Sequence, residues 1–336
     1  MADPDAVIDA GPVPNPDPVA DLIVAGELCV DLIVGLDGDI RFGQHEQLVR
    51  STDLTLGSSS AITACGAAAL GVRTEMASVR GDDEFGDFIA RELAARRVGI
   101  AQVRVDPSRP TGASTHLTRP DGDRAILTSM GSIGQTRADD VDFADARHLH
   151  VGSYFLQESL WADAAALYSR ARAVGLSTSL DGNFDPSEQW DRGILEVLAN
   201  VDILFGNEQE LQGITGLRSL EAATEAALDR MPDGGIVVCK LGADGAMIVR
   251  REGPSARRIV ASTPSVDGPL VDTVGAGDTL AAGFIAGRLD GLSLDGCLAL
   301  GVACGTASTR GAGGVSAQPS RAEADELARR VRLSAG

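Results

Sequence analysis

Short apolar runs of β character alternate with longer Ala- and Leu-rich runs from about residue 21 to the end of the chain. That rhythm leaves few folds open, because strands separated by helical runs bury both faces only in a mainly parallel sheet covered by helices. LIVAGEL is the first buried strand, and RHLHVGS, GLSTSLDGN, VDILFGN and GGIVVCKLG follow. The later runs end at or next to a Gly, Asn or Asp, and in open α/β sheets the carboxyl ends of the strands are where ligands bind. Two stretches, about 31–50 and 110–130, break the alternation and read as β-rich, the second with the hairpin signal PDGDR. They predict a small sheet standing off the main domain as a lid. No internal repeat or low-complexity linker divides the chain, so the expectation is one α/β domain over 21–330 preceded by a disordered lead-in at 1–20. That lead-in, with acids and prolines, lacks the positive charge and apolar run of a signal peptide.

The formal charge of -19 argues against a nucleic-acid surface, which needs clustered Lys and Arg; Lys240 is the only lysine. No apolar run approaches the ~18 residues of a membrane span, so no membrane segment is expected. Five cysteines, odd in number and without CxxC spacing, fit a reduced, cytoplasmic protein. His148 and His150 share one strand face, but no third ligand has zinc-like spacing, and a structural role is expected of the histidines.

The stretch LVDTVGAGDTLAAGF, residues 270–284, carries the chemistry. Gly275, Ala276 and Gly277 lead into Asp278 and an apolar helical run, so main-chain N–H groups at a helix start are open to an anion. One reading is a tight turn with Asp278 complementing the helix dipole. The other makes Asp278 a general base on a hydroxyl while the neighbouring amides stabilise a transferred phosphoryl group.

DTVGAGD, Asp272 to Asp278, resembles the C-terminal signature of the ribokinase-like (PfkB-type) carbohydrate kinases. AGELCVD (25–31), GSSSAITACGAAALG (57–71), GDDEFG (81–86), SLDGN (179–183), GNEQE (206–210) and KLGADG (240–245) follow the family's order. The resemblance implies a ribokinase-like three-layer α/β/α domain with a mainly parallel sheet and a small β-sheet lid, and it favours the catalytic reading of Asp278. It implies sugar contact for Asp31 and Asp278. It also implies a role for Asn207 and Glu210 in organising Mg²⁺ through water, and nucleotide contact for Asn207 and for the loop of Gly242 and Gly245. Lys240 stands where many relatives have threonine; it reaches a phosphate or buries its stem along the loop. VACGTASTRGAGG (302–314), which includes Cys304, resembles the region that encloses adenine, and Asp272 and Ser316 are candidates for a monovalent cation site. The chain departs from its relatives where Ser58 replaces a glycine and Ile62 an asparagine. Isoleucine cannot hydrogen-bond a sugar, so either Ser58, Ser59 or Ser60 takes the polar work, or these serines are helix caps.

The resemblance therefore implies ATP-dependent phosphorylation of a small unphosphorylated sugar, ribose- or fructose-like, with Mg²⁺ and a possible K⁺. The acceptor motifs contain no basic residue to hold a phosphorylated one. A sugar-acid kinase of the 2-keto-3-deoxygluconate type, a nucleoside kinase, and a nucleotide- or sugar-binding protein without catalysis are the alternatives. A dinucleotide oxidoreductase is disfavoured, because no GxGxxG follows the first strand. Sugar and ATP are the expected partners, with a homodimer formed through the lid.

Overall fold

The computed structural model describes residues 20–335 except Ala144 and Pro254, so nearly all of the expected lead-in lies outside the described residues. Strands are β1 Leu22–Ala25, β2 Cys29–Gly35, β3 Ser51–Leu56, β4 Thr74–Gly81, β5 Val98–Asp106, β6 Gly112–Thr118 and β7 Arg124–Ser129. Then follow β8 His148–Val151, β9 Ser177–Asp181, β10 Ile203–Asn207, β11 Ile236–Lys240, β12 Ala246–Glu252, β13 Ser255–Ser262 and β14 Arg332–Ala335. The helices are α1 Ser59–Ala69, α2 Glu84–Ala95, α3 Ala164–Ala173, α4 Ile194–Val197, α5 Glu208–Thr215, α6 Leu220–Leu228, α7 Ala276–Leu289, α8 Leu294–Ser308 and α9 Arg321–Ala328.

Side-chain alternation along β1 explains the layering. Leu22 and Val24 pack into one core with residues of α1, α2, α7 and α8, while Ile23 and Ala25 enter a second core with α3, α5 and α6. A strand buried on both faces must be apolar throughout, which is why LIVA carries no polar residue. The ten-stranded sheet runs β14-β13-β12-β11-β10-β9-β8-β1-β4-β5. It is parallel from β11 to β5 and antiparallel over β12–β14. His148 and His150 project from β8 into this interior. His148 bonds Ser177 and Ser179 and His150 bonds Ser179, and burial pushes both imidazoles down to about 3, so they are neutral packing groups.

A separate four-stranded sheet, ordered β3-β2-β6-β7, stands beside the first. Its β2 and β3 bracket the first stretch read as β-rich, but residues 36–50 between them form no strand. Gly43 and Gln44 there have φ of +96° and +60°, which interrupts extended pairing. Asp83, in GDDEFG, caps α2 through the Gly86 N–H (2.8 Å). It also accepts from Thr111 N (2.7 Å) and Thr111 Oγ1 (2.6 Å), tying the start of β6 to the main domain. Among the described residues no helix is long and apolar enough to cross a membrane.

Ile62 has a packing role that its place in the serine-rich motif concealed. Its side chain is 3% exposed and lies beneath two glycines of distant segments. A Cβ built on Gly314 would meet Ile62 Cδ1 at 2.2 Å, and one on Gly275 would meet it at 3.0 Å. Gly275 also has φ +70°, where a side chain is strained. Ile62, Gly275 and Gly314 therefore form one stack that supports the start of α7. Gly314→Ala is expected to cost about 1–3 kcal/mol by overpacking. Combined with Ile62→Ala it should cost less than the two single changes summed, because the cavity accepts the added methyl. Urea midpoints of the four proteins check this.

Candidate active site

Three neighbouring parallel strands end together. Register aligns Asn207 with Lys240 and Phe205 with Asp181, so the carboxyl ends of β9, β10 and β11 bring Asp181, Asn207 and Lys240 side by side. Lys240 Nζ donates to Asp181 Oδ1 (3.1 Å) and Oδ2 (2.8 Å) and lies 3.8 Å from Glu210 Oε2. Asn207 is the N-cap of α5. Its side-chain oxygen accepts from Glu210 N (2.9 Å), while Glu210 accepts from Asn207 N and Nδ2, both at 2.8 Å. Burial pushes the Glu210 carboxyl up, Lys240 opposes that and Asp181 adds to it. Burial also works against the Lys240 ammonium, yet Asp181, Glu210 and Asp278 outweigh it and hold its pKa above the ordinary lysine value.

Asp278 sits in the first turn of α7. The first α-helical bond is Thr279 N–H to Gly275 O (2.8 Å), and Ala276 N–H is turned to Thr273 O (3.3 Å). The second and third helical amides, Gly277 and Asp278, therefore have no intrahelical acceptor. Of the expected Gly275–Gly277 donors, Ala276 N–H is engaged in closing the preceding turn, while Gly277 N–H, with Asp278 N–H beside it, is open. A Cβ on Gly277 would lie 3.0 Å from Lys240 Cδ, so the bare backbone lets the lysine stem pass. Ser59, in the first turn of α1, donates its hydroxyl to Asp278 Oδ1, and Thr63 Oγ1 donates to Asp278 O (3.3 Å). Burial pushes the Asp278 carboxyl up to about 7; Lys240 and the Ser59 hydrogen bond hold it down, and the charges of Asp181 and Glu27 push it further up.

Asp31 lies on β2, 4% exposed, with Oδ2 3.4 Å from His116 Nε2 on β6. Gly57 gives it room, since a Cβ there would be 2.1 Å from Asp31 Oδ1. Ser58 takes the capping role: its hydroxyl donates to Glu27 O and accepts from Ala61 N (3.0 Å), at φ +74°. Sequence reasoning missed Glu27. Its buried carboxylate accepts from Ser60 Oγ, Ser153 Oγ (2.8 Å) and Gln157 Nε2 (3.3 Å), and Asn183 Nδ2 donates to Ser153 Oγ (2.9 Å). Burial pushes its pKa up. The available signal was an acid directly after an otherwise apolar strand.

Gly242 and Gly245, with φ of +60° and +103°, form the turn after β11. Cys304 does not line a cleft: it is fully buried, with its sulfur 2.9 Å from where a Cβ on Gly283 would stand, and so it packs between α7 and α8. Asp272 and Ser316 are engaged apart from one another. Asp272 accepts from Val274 N and Gly313 N, both at 3.0 Å, and from Arg124 Nη1 at 3.3 Å, whereas Ser316 Oγ donates to Ala312 O (2.6 Å).

Three comparisons agree with this architecture. The pfkB family carbohydrate kinase model matches residues 19–321. An ATP-dependent ribose-1-phosphate kinase from Halopiger xanaduensis is 32% identical over 278 residues, covering 82% of this chain and 86% of that protein. A 2-dehydro-3-deoxygluconokinase from Thermoproteus tenax is 30% identical over 323 residues, covering 91% and 93%. The structure of Arabidopsis thaliana ribokinase complexed with ribose and ATP superposes with a TM-score of 0.78 at 23% identity, covering 93% of this chain and 99% of that one. A helix-start anion turn, a buried carboxylate beside it and a family match over nearly the whole described chain lead to one conclusion: the chain belongs to the pfkB family of carbohydrate kinases.

Proposed function

We propose that this kinase transfers the γ-phosphoryl group of ATP to a hydroxyl of a small sugar, with Asp278 as the base. The observation that carries the reading is the pairing, on one helix turn, of open main-chain donors with a carboxylate whose pKa lies near neutrality. Asp278 accepts the hydroxyl proton as the sugar oxygen attacks the γ-phosphorus, the bond from that phosphorus to the β–γ bridging oxygen breaks, and ADP leaves. The Gly277 and Asp278 amides stabilise charge on the moving phosphoryl group. Ser59 aims the carboxylate, and Asp31 orients the sugar.

The residues fit Mg²⁺: Glu210 and Asp181 are oxygen donors, and the cluster holds more carboxylates than Lys240 neutralises. Bound with ATP, the ion supplies neutralisation of the phosphates; Asn207 holds Glu210 in place for it. Asp31 and the lack of basic residues in the acceptor motifs favour an unphosphorylated ribose- or fructose-like sugar. A sugar acid is the second reading, favoured by His116 beside Asp31 and by the relative acting on 2-dehydro-3-deoxygluconate.

The small sheet is read as a lid and as a dimer surface. Leu54 and Leu127 lie in one cross-strand row through Leu32 and Thr115, on the face opposite Asp31, and are 43% and 59% exposed. Covering that face on a second copy removes it from water. Sedimentation velocity should show a dimer that Leu54→Lys with Leu127→Lys converts to a monomer; a monomeric parent protein would refute the reading.

An ATP-consumption screen over ribose, fructose, 2-keto-3-deoxygluconate, nucleosides and sugar phosphates tests the function, and no turnover with any of them would leave the binding-protein alternative standing. Asp278→Asn should retain ATP and sugar binding but lose about 10²–10⁴-fold in kcat. A base must be ionised to act, so kcat/KM of the parent should rise as pH passes through about 7 and level above it. Ser59→Ala removes a bond to the ionised form and should move that rise to higher pH.

Lys240→Met removes the cation between Asp181 and Glu210. Leaving buried carboxylates unpaired is expected to cost about 3–5 kcal/mol in chemical denaturation, and Lys240→Arg should recover only part of it because a planar fork replaces a compact ammonium between Asp181 and Glu210.

A further inference from the structure

The loop that leads into the anion turn is held by a charge from the other sheet. Arg124, the first residue of β7, reaches Asp272 at 3.3 Å, and Asp272 uses both oxygens on the main chain, one on Val274 N and the other on Gly313 N. One carboxylate thus ties together the small sheet, the residue immediately before Gly275, and the glycine beside Gly314, against which Ile62 packs. Two neighbouring carbonyls are engaged as well. Thr309 O accepts from Val271 N (2.9 Å) and Asp272 N (3.3 Å), and Ala312 O accepts from Ser316 Oγ. The residues do not fit a monovalent cation at Asp272: a potassium ion there would have to displace the guanidinium and share both Asp272 oxygens with main-chain donors. The geometry points to Arg124 as a built-in replacement for that cation, a positioning residue that neutralises Asp272 and fixes the approach to the phosphoryl-binding turn when the small sheet sits over the site.

The assignment rests on nucleotide binding at this turn but not on which sugar is phosphorylated, so the test uses the full chain and no acceptor. Affinity for Mg²⁺ with the non-hydrolysable ATP analogue AMP-PNP is measured by calorimetry in potassium chloride and in tetramethylammonium chloride at equal ionic strength. The parent protein is expected to bind equally in the two salts, within about twofold, whereas Arg124→Gln in tetramethylammonium chloride should bind at least about fivefold more weakly, with Arg124→Lys close to the parent. Melting temperatures of the variants, taken without nucleotide, separate this loss from unfolding, and Arg124 stands on a strand with every residue exposed, where substitution leaves the core intact. The assignment is overturned if potassium strengthens binding to the parent fivefold or more, or if Arg124→Gln binds as the parent does in both salts. Absence of AMP-PNP binding by the folded parent would instead remove the kinase reading on which the assignment stands.

Discussion

Lys240 faces three carboxylates, Asp181, Glu210 and Asp278, in a region from which water is largely excluded. Two like charges about 4 Å apart repel by roughly 4 kcal/mol at an effective dielectric of 20, so a cluster of this composition does not hold without a cation at its centre. The consequences extend beyond stability. Lys240 lowers the cost of ionising Asp278 and so opposes the upward push that burial gives its carboxyl. A family position that many relatives fill with threonine here carries both the charge balance at the ends of β9, β10 and β11 and the ionisation of Asp278.

Placing Asp278 depends on two helices that begin at the same point. Small residues let α1 and α7 approach: a Cβ on Gly66 would be 2.9 Å from Ala282 Cβ, and Gly283 and Gly301 leave similarly little space between α7 and α8. The Ala- and Gly-rich composition of these helices is therefore a packing requirement. Its product is that Ser59, the first residue of α1, meets Asp278, the third residue of α7. The starts of the two helices, where main-chain N–H groups carry partial positive charge, thus meet at Asp278.

The order of strands and the identity of the motif were legible because they are local. Strand runs such as LIVA and VDILFGN are apolar on both faces, and DTVGAGD carries its turn and its carboxylate within seven residues. Asn207 and Glu210 were picked out through the resemblance, as an NxxE pair, and the reciprocal cap they form spans four consecutive residues. What could not be read depends on segments far apart in the chain. Ile62 looked like a lost sugar ligand and is a support for Gly275 and Gly314, more than two hundred residues on. Cys304 stands in a stretch resembling a nucleotide site, yet its face of α8 turns to Gly283. Glu27 gave only a faint signal because its partners come from two distant segments, Ser60 from one and Ser153 and Gln157 from the other.

Glu27 also bears on how the acceptor region works. A carboxylate buried without a cation is costly unless hydrogen bonds satisfy it, and here hydroxyls and an amide perform that task. Because burial favours its neutral form and its charge raises the Asp278 pKa, the protonation states of the two groups are linked. Proton uptake at Glu27 lowers the pKa of Asp278 and so favours the ionised base, while ionisation of Glu27 has the opposite effect. The serine-rich start of α1 serves both groups: Ser59 bonds Asp278 and Ser60 bonds Glu27, from adjacent residues of one helix turn. Substituting asparagine and glycine as in relatives would disturb neither bond directly, but at Ile62 it would place a polar amide beneath Gly275 and Gly314, where the packing has room only for an apolar branch. This motif is therefore built around hydroxyls above, on Asp278 and Glu27, and an aliphatic support below, under Gly275 and Gly314.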